Sequence, residues 1–132
     1  MKKDASRDYA TNAFRVYAVL GEKGRKKIRS AAEITSIVQD VEAVDKTLES
    51  IGKLPDGDII TKAVKSVYFC NGKYAFSRGE IVRRVCAVKE EIYVSEIQIY
   101  RYLRLARETF CKIRGLCTWG DLEACGIKEK II

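Results

Sequence analysis

Apolar residues recur along this chain every three or four positions, which is the spacing of one face of an α-helix. The first such stripe lies in residues 7–20, and Gly21, which follows it, is a typical helix end. A second, longer stripe runs from Ile34 to Ile51 and predicts a long amphipathic helix. Two helices are therefore predicted before the only proline, Pro55, with apolar residues Ala10, Ala13, Phe14, Tyr17 and Leu20 in the first and Ile34, Ile37, Val38, Val41, Val44, Leu48 and Ile51 in the second.

A chain reversal is predicted at residues 52–58, where Pro55 begins a Pro-Asp-Gly turn sequence and Asp58 is available to cap the next helix. Helical spacing then resumes at Ile59 and continues to Tyr68. The pair Asn71-Gly72 has the composition of a left-handed helix end. A third helix is therefore predicted between the turn and this pair.

A β-hairpin is the alternative around Asn71-Gly72. The apolar and aromatic residues 67–70 and 73–76 flank this pair as two strands would flank a two-residue turn. The helix is favoured, because the helical period starts well before the aromatic residues.

Two further helices follow, each preceded by a serine suited to cap it. Ser77 and Glu80 have the spacing of a capping box, and Ser95 precedes a longer helix that Gly115 would end. A last short helix is predicted after Thr118. The expected buried faces consist of Ile81, Val82, Val85 and Val88 in the first helix and Ile99, Leu103, Ala106, Phe110 and Ile113 in the second.

The predicted fold is all-α, a compact bundle of about five or six helices with a C-terminal helix-turn-helix. Its 132 residues, 47% of them hydrophobic, suit a single domain. We divide this domain into an N-terminal helical part (residues 1–76), the helix-turn-helix (77–116) and a short C-terminal helix and tail (117–132). The chain has no run of roughly 20 apolar residues that could span a bilayer and begins with charged residues, so we expect a cytoplasmic protein without membrane contact.

Catalytic chemistry has few candidates in this sequence. Histidine, the commonest general base and the usual partner of a nucleophilic serine or cysteine, is absent. The basic, glycine-containing residues 21–27 lack the Gly-Lys-Ser/Thr ending of a phosphate loop and are more typical of a basic turn between helices. We therefore expect neither enzymatic activity nor a cofactor.

The cysteines are odd in number and lie mostly among apolar residues, which predicts reduced, buried thiols and no disulfide framework. A zinc site is the alternative for the three that cluster, but no Cys-x-x-Cys pair or histidine accompanies them. We expect no metal. The five cysteines are Cys70, Cys86, Cys111, Cys117 and Cys125, of which the last three form the cluster.

The net charge of +7 is unevenly distributed. Residues 1–29 contain nine basic and three acidic residues, whereas residues 30–58 contain two basic and seven acidic residues. Residues 95–114 contain five basic and two acidic residues. The second helix is therefore an acidic strip, and the two basic regions are candidates for contact with an acidic partner.

The helix after Ser95 has side chains suited to DNA. Arginine can pair bidentately with guanine or phosphate, and glutamine can pair with adenine. A solvated cationic helix face that binds nothing is the alternative. With the apolar residues turned inward, the side chains expected on exposed or flanking faces are Gln98, Arg101, Tyr102, Arg104 and Arg107.

Residues 94–107 (VSEIQIYRYLRLAR) follow another predicted helix, as a recognition helix does in a helix-turn-helix. This segment contains a serine cap at Ser95, the pattern Tyr-Arg-x-Leu at residues 100–103 and the pair Ala106-Arg107. With these features it resembles the recognition helix of sigma-factor region-four-like regulators, in particular phage and mobile-element transcriptional regulators of the ArpU type. The resemblance covers residues 77–116. It implies sequence-specific binding of double-stranded DNA and transcriptional control.

The leading hypothesis is a DNA-binding regulator whose Ser95 helix enters the major groove. Gln98 and Arg101 are then expected to contact bases. RNA polymerase and a second copy of the chain are further candidate partners. The expected DNA-binding surface also contains Ser95 and Tyr102, with phosphate contacts from Arg104, Arg107 and the basic turn residues Lys23, Arg25, Lys26 and Lys27.

The alternative hypothesis is a protein adaptor without direct DNA contact. The acidic second helix and the aromatic residues Tyr68, Phe69, Tyr74 and Phe76 could dock a partner, although core packing competes as an explanation for the aromatic residues. RNA binding and a hidden enzyme rank below both hypotheses.

Overall fold

The computed structural model describes residues 5–30, 35–69 and 77–116. These residues form helices and no β-strand, which confirms the predicted all-α fold. The short helix predicted after Thr118 and the Asn71-Gly72 pair lie outside the described residues. The helices are α1 (Ala5–Arg29), α2 (Ser36–Gly52), α3 (Gly57–Tyr68), α4 (Arg78–Ile92) and α5 (Glu96–Arg114).

Two helical arms, joined at Gly21, make up α1. Gly21 has φ 65° and ψ 178°, a region of backbone space that is essentially restricted to glycine. The expected break at Gly21 is therefore present, but the prediction of a basic turn after it was wrong. Residues 22–29 instead form a second helical arm, because their lysines and arginines are good helix formers.

The second arm of α1 packs against the first arm and against α2. The guanidinium of Arg25 lies 4.0 Å from the ring centroid of Tyr17 and donates a hydrogen bond to the Tyr17 carbonyl (2.8 Å). Arg29 forms an ion pair with Asp45 of α2, and the hydroxyl of Tyr17 donates to the same carboxylate. Asp45 therefore connects both arms of α1 to α2.

The turn between α2 and α3 is tighter than the sequence indicates. Asp56, and not the predicted Asp58, precedes α3, and its side chain makes no capping hydrogen bond. Gly57 begins the helix so close to α2 that a Cβ there would lie 2.2 Å from the carbonyl oxygen of Gly52. This close backbone approach places the helix start at the glycine, one residue before the predicted cap.

The apolar stripe of α2 is buried at Val38, Val41, Val44 and Ile51, as predicted. The side chain of Ile37, which belongs to the predicted stripe but lies in the first turn of α2, is 39% exposed. Thr35 caps this helix by accepting a hydrogen bond from the backbone N–H of Val38 (3.3 Å).

Phe14 lies at the centre of the core and contacts aromatic rings from two other helices. It stacks on Tyr68 with ring centroids 5.6 Å apart and packs against Phe69 and Phe110 at 6.3 and 5.7 Å.

Val67 and Tyr68 are helical, so the hairpin alternative is wrong for these two residues. Tyr68, at 3% exposure, and Phe69 pack in or against the core.

Gly21 offers a direct test of the break in α1. A methyl group at Gly21 or at Gly79 would meet no atom within 4 Å, but only Gly21 has a positive φ. We expect Gly21→Ala to lower the free energy of unfolding by about 1–3 kcal/mol, because alanine is strained in this backbone conformation. The matched control Gly79→Ala should leave stability unchanged or raise it by up to about 1 kcal/mol, because alanine is the better helix former. Chemical denaturation measures both, and equal effects would contradict the assigned break.

Candidate nucleic-acid interface

A short connection formed by Tyr93, Val94 and Ser95 joins α4 to α5. Tyr93 ends α4 in the left-handed conformation (φ 55°), which is uncommon for a residue other than glycine. Ser95 begins α5 by accepting a hydrogen bond from the backbone N–H of Gln98 (3.2 Å), as predicted. The connection is as short as the turn of a helix-turn-helix, and α3 packs against both helices.

The other predicted helix ends in this region are present. Ser77 caps α4 by accepting from the N–H of Glu80 (3.3 Å), and Gly115 ends α5 with φ 82°. In α4, Val85 and Val88 are buried, as predicted. Val82 was also expected on the buried face but is 44% exposed, because around the helix axis it lies on the side of Val85 that is away from Val88.

One face of α5 is anchored in the core over most of the helix length. Ile99, Leu103, Ala106 and Phe110 are almost completely buried, as predicted, and only Ile113 remains 36% exposed. This anchoring fixes which side chains of α5 point away from the protein.

The opposite side of α5, here called its outer face, consists of Ile97, Tyr100, Arg101 and Arg104, all exposed. Arg101 makes no hydrogen bond or ion pair within the described residues. Arg104 donates to Glu108 (2.9 Å), but both side chains are exposed, and such surface pairs contribute little. Both guanidinium groups can therefore engage a partner.

The structure separates the remaining α5 candidates from this face. Tyr102 is 9% exposed, so its predicted exposed or flanking position was wrong; it lies between Ile99 and Ala106 on the buried side of the helix. Arg107 is half-buried and donates to the hydroxyl of Tyr68 (2.6 Å), which links α5 to α3. Gln98 is half-exposed beside the outer face.

Glu96, the first residue of α5, contacts two groups of α4. It accepts a hydrogen bond from the thiol of Cys86 (3.3 Å) and lies 3.7 Å from the ammonium of Lys89. The hydrogen bond to Glu96, together with local desolvation and the carboxylate charge, raises the pKa of the Cys86 thiol. Glu96 is therefore a partner of α4 and is less available to a ligand.

The observed cysteines differ in burial. Cys86 is exposed, which contradicts the expectation of buried thiols, whereas Cys111 is buried as expected. Cys70, Cys117 and Cys125 lie outside the described residues. Within the described part of the chain, no three potential metal ligands come together.

The start of α4 has two exposed arginines, Arg78 and Arg83, and sequence reasoning did not identify Arg78 as a candidate DNA contact. Arg83 donates hydrogen bonds to both carboxylate oxygens of Glu80, and these bonds lower the pKa of Glu80. Arg78 is exposed and has no partner among the described residues. Its position in the first turn of a capped helix could have identified it, because helix N-termini favour anions.

The second arm of α1 contains the other predicted phosphate contacts. Lys23, Lys26 and Lys27 are exposed and form no ion pair with a described residue. Arg25 is instead held against Tyr17. Three of the four basic residues are therefore available, on a helical arm where a turn was expected.

Two of the four acidic residues of α2, Asp40 and Asp45, are bonded to other helices. Asp40 accepts hydrogen bonds from Arg114 (2.8 Å) and from the hydroxyl of Tyr9 (2.8 and 2.9 Å), and the bond from Arg114 raises the pKa of that guanidinium. Glu49 pairs with Lys53 at 3.2 Å. Asp40 and Asp45 therefore serve as counter-charges within the fold, whereas Glu42 and Glu49 are exposed.

A shallow groove of about 260 Å³ lies between α2 and the end of α5. Its lining contains both Glu42 and Lys46 as well as Arg114, which is already bonded to Asp40. This mixture of charges does not select one class of ligand.

Comparison with known proteins finds no matching family model, no similar curated protein and no similar solved structure. Among the described helices, none has the length and apolar composition required to cross a membrane. The assignment of function therefore depends on the surfaces described above.

The different surroundings of Arg101 and Arg107 predict different effects on stability. Arg107→Ala should lower the free energy of unfolding by about 1–2 kcal/mol, because it removes a charge-assisted hydrogen bond to a buried hydroxyl. Arg101→Ala should change it by less than about 0.5 kcal/mol. Combining Arg107→Ala with Tyr68→Phe should have less effect than the sum of the two changes. A larger loss for Arg101→Ala than for Arg107→Ala would contradict these assignments.

The contact between Cys86 and Glu96 predicts a change in thiol reactivity. Glu96→Gln should lower the pKa of Cys86 and speed its alkylation at neutral pH, because the thiolate is the reactive form. Lys89→Met should slow the reaction, because the ammonium of Lys89 favours the thiolate. Mass spectrometry of the peptide that contains Cys86 measures both rates with iodoacetamide. Unchanged rates in both variants would show that the contact has no effect on the thiol.

Proposed function

We propose that the protein binds double-stranded DNA in a sequence-specific manner through α5 and regulates transcription. The observation that carries this proposal is the outer face of α5, where Arg101 and Arg104 are exposed on a helix whose opposite face is fixed in the core. A helix that is rigidly mounted in this way can enter a major groove without rearrangement of the protein.

The dimensions and chemistry of this helix suit B-DNA. The major groove is about 12 Å wide, and an α-helix with its side chains has a diameter of about 10–12 Å. The five N–H donors of an arginine match guanine O6 and N7. Arg101 makes no competing contact with a described residue, so it is free to form such a pair.

We assign base contacts to Arg101 and Gln98 and a phosphate contact to Arg104. We also assign a backbone contact to Arg78 in the first turn of α4, because the first helix of a helix-turn-helix crosses the phosphates. The second arm of α1 contributes further phosphate contacts through Lys23, Lys26 and Lys27.

Four of the predicted site residues take supporting roles in this proposal. Ser95 caps α5 and so defines where the helix begins. Tyr102 and Arg107 hold α5 against the core and α3. Arg25 holds the second arm of α1 against Tyr17.

The regulatory role is supported by the resemblance of residues 77–116 to sigma-factor region-four-like regulators of phage and mobile elements. RNA polymerase and a second copy of the chain remain the candidate protein partners. The adaptor hypothesis has less support, because Tyr68 and Phe69 pack with the core and Asp40 and Asp45 are bonded to other helices.

Selection from a random library of duplex DNA, at a low and a high salt concentration, tests this function. We expect one sequence motif that remains enriched at high salt, because base contacts persist when phosphate attraction is screened. Arg101→Ala should relax the preference at one base pair by about 1–3 kcal/mol. Lys112→Ala removes the same charge from the C-terminal part of α5 and should leave the preference intact.

A further variant separates specific from general attraction. Replacing Lys26 and Lys27 with alanine should weaken binding to all sequences. The slope of the logarithm of affinity against the logarithm of salt concentration should become less steep by about one unit per lost phosphate contact. If the protein retains DNA from the library only at low salt, and the retained DNA shares no sequence motif, sequence-specific binding would be contradicted.

A further inference from the structure

Two side chains on the outer face of α5 have apolar surface that the fold does not use. Ile97 is 68% exposed and Tyr100 is 41% exposed. Single exposed apolar residues are common in proteins, so exposure alone carries no conclusion. Their position matters here, because Ile97 lies one helical turn before Arg101, and Tyr100 one turn before Arg104.

The two exposed side chains differ in what they can contact on DNA. The hydroxyl of Tyr100 can donate to a phosphate, so its exposure needs no apolar partner. Ile97 has no polar side-chain atom. The feature of the major groove that suits such a side chain is the C5 methyl group of thymine.

We propose that Ile97 is a specificity-determining residue that contacts the methyl group of a thymine in the target site. This inference rests on the proposed DNA binding through α5. Arg101 and Arg104, on the same face as Ile97, favour an anionic partner. The exposed Ile97 favours a partner that also has an apolar group beside its phosphates. Duplex DNA that contains thymine has both.

The geometry of the helix also places this thymine relative to the base contacted by Arg101. Four residues of α-helix span about 6 Å, and successive base pairs are about 3.4 Å apart. The thymine is therefore expected within about two base pairs of the position contacted by Arg101. Cytosine at the same position would be disfavoured, because its amino group would lose water without gaining an acceptor from isoleucine.

Replacing single thymines of the selected motif with deoxyuridine tests the inference, because this change removes only the methyl group. Wild-type affinity should fall about fourfold at one thymine, the effect expected for one buried methyl group. That position should lie within about two base pairs of the one affected by Arg101→Ala. Ile97→Ala should bind the thymine and deoxyuridine sites equally well, whereas Tyr100→Ala should retain the wild-type preference for thymine.

The failure of this inference can be distinguished from failure of the proposed function. The role of Ile97 would be overturned if the motif has no thymine within about two base pairs of the base contacted by Arg101. It would also be overturned if Ile97→Ala still binds the thymine site more tightly than the deoxyuridine site. Neither result would argue against DNA binding by α5. The absence of any motif would overturn both. Ile97 is exposed, so circular dichroism should show that Ile97→Ala folds like the wild type.

Discussion

The packing of Phe14 against Tyr68, Phe69 and Phe110 is the contact on which the rest of the structure depends. These rings come from α1, the C-terminal end of α3 with the residue after it, and the last turns of α5, so one cluster determines how the three helices meet. Offset or tilted aromatic pairs add about 0.5–1.5 kcal/mol each beyond the burial of their surface. Together with Ile99 and Leu103 in the first half of α5, the cluster fixes the rotation of this helix about its axis. That rotation decides which side chains face outward.

Charge is organised by a second constraint, the pairing of α2 with its neighbours. Asp40 accepts from Arg114 of α5, and Asp45 pairs with Arg29 of α1, so the acidic helix stabilises the bundle. Arg78, Arg101 and Arg104, which form no ion pair with α2, remain exposed, as do the lysines of the second arm of α1. The excess positive charge is therefore available on α5, at the start of α4 and on the second arm of α1.

The sequence predicts most of the local structure because its signals are local. The caps at Ser77 and Ser95 and the left-handed end at Gly115 each depend on a few adjacent residues. The second arm of α1 was missed because Gly21 breaks the helix, and the charged residues after it have high helix propensity but little apolar periodicity.

The candidate site is predictable only in part, for the same reason. Helix periodicity indicates the exposure of Arg101 and Arg104 once the buried face is known. The contact between Arg107 and Tyr68 joins residues 39 positions apart, and no local pattern reveals it. The burial of Tyr102 depends on how closely neighbouring helices approach α5, and the exposure of Ile97 opposes the usual tendency of isoleucine to be buried.

The most direct test of the central claim is NMR mapping of the protein during titration with a specific duplex. If α5 enters the major groove, the largest amide shifts should fall on residues 95–104, with smaller changes at the start of α4 and in residues 22–29. Large shifts confined to α2 and α3 would place the DNA on another surface and contradict the account.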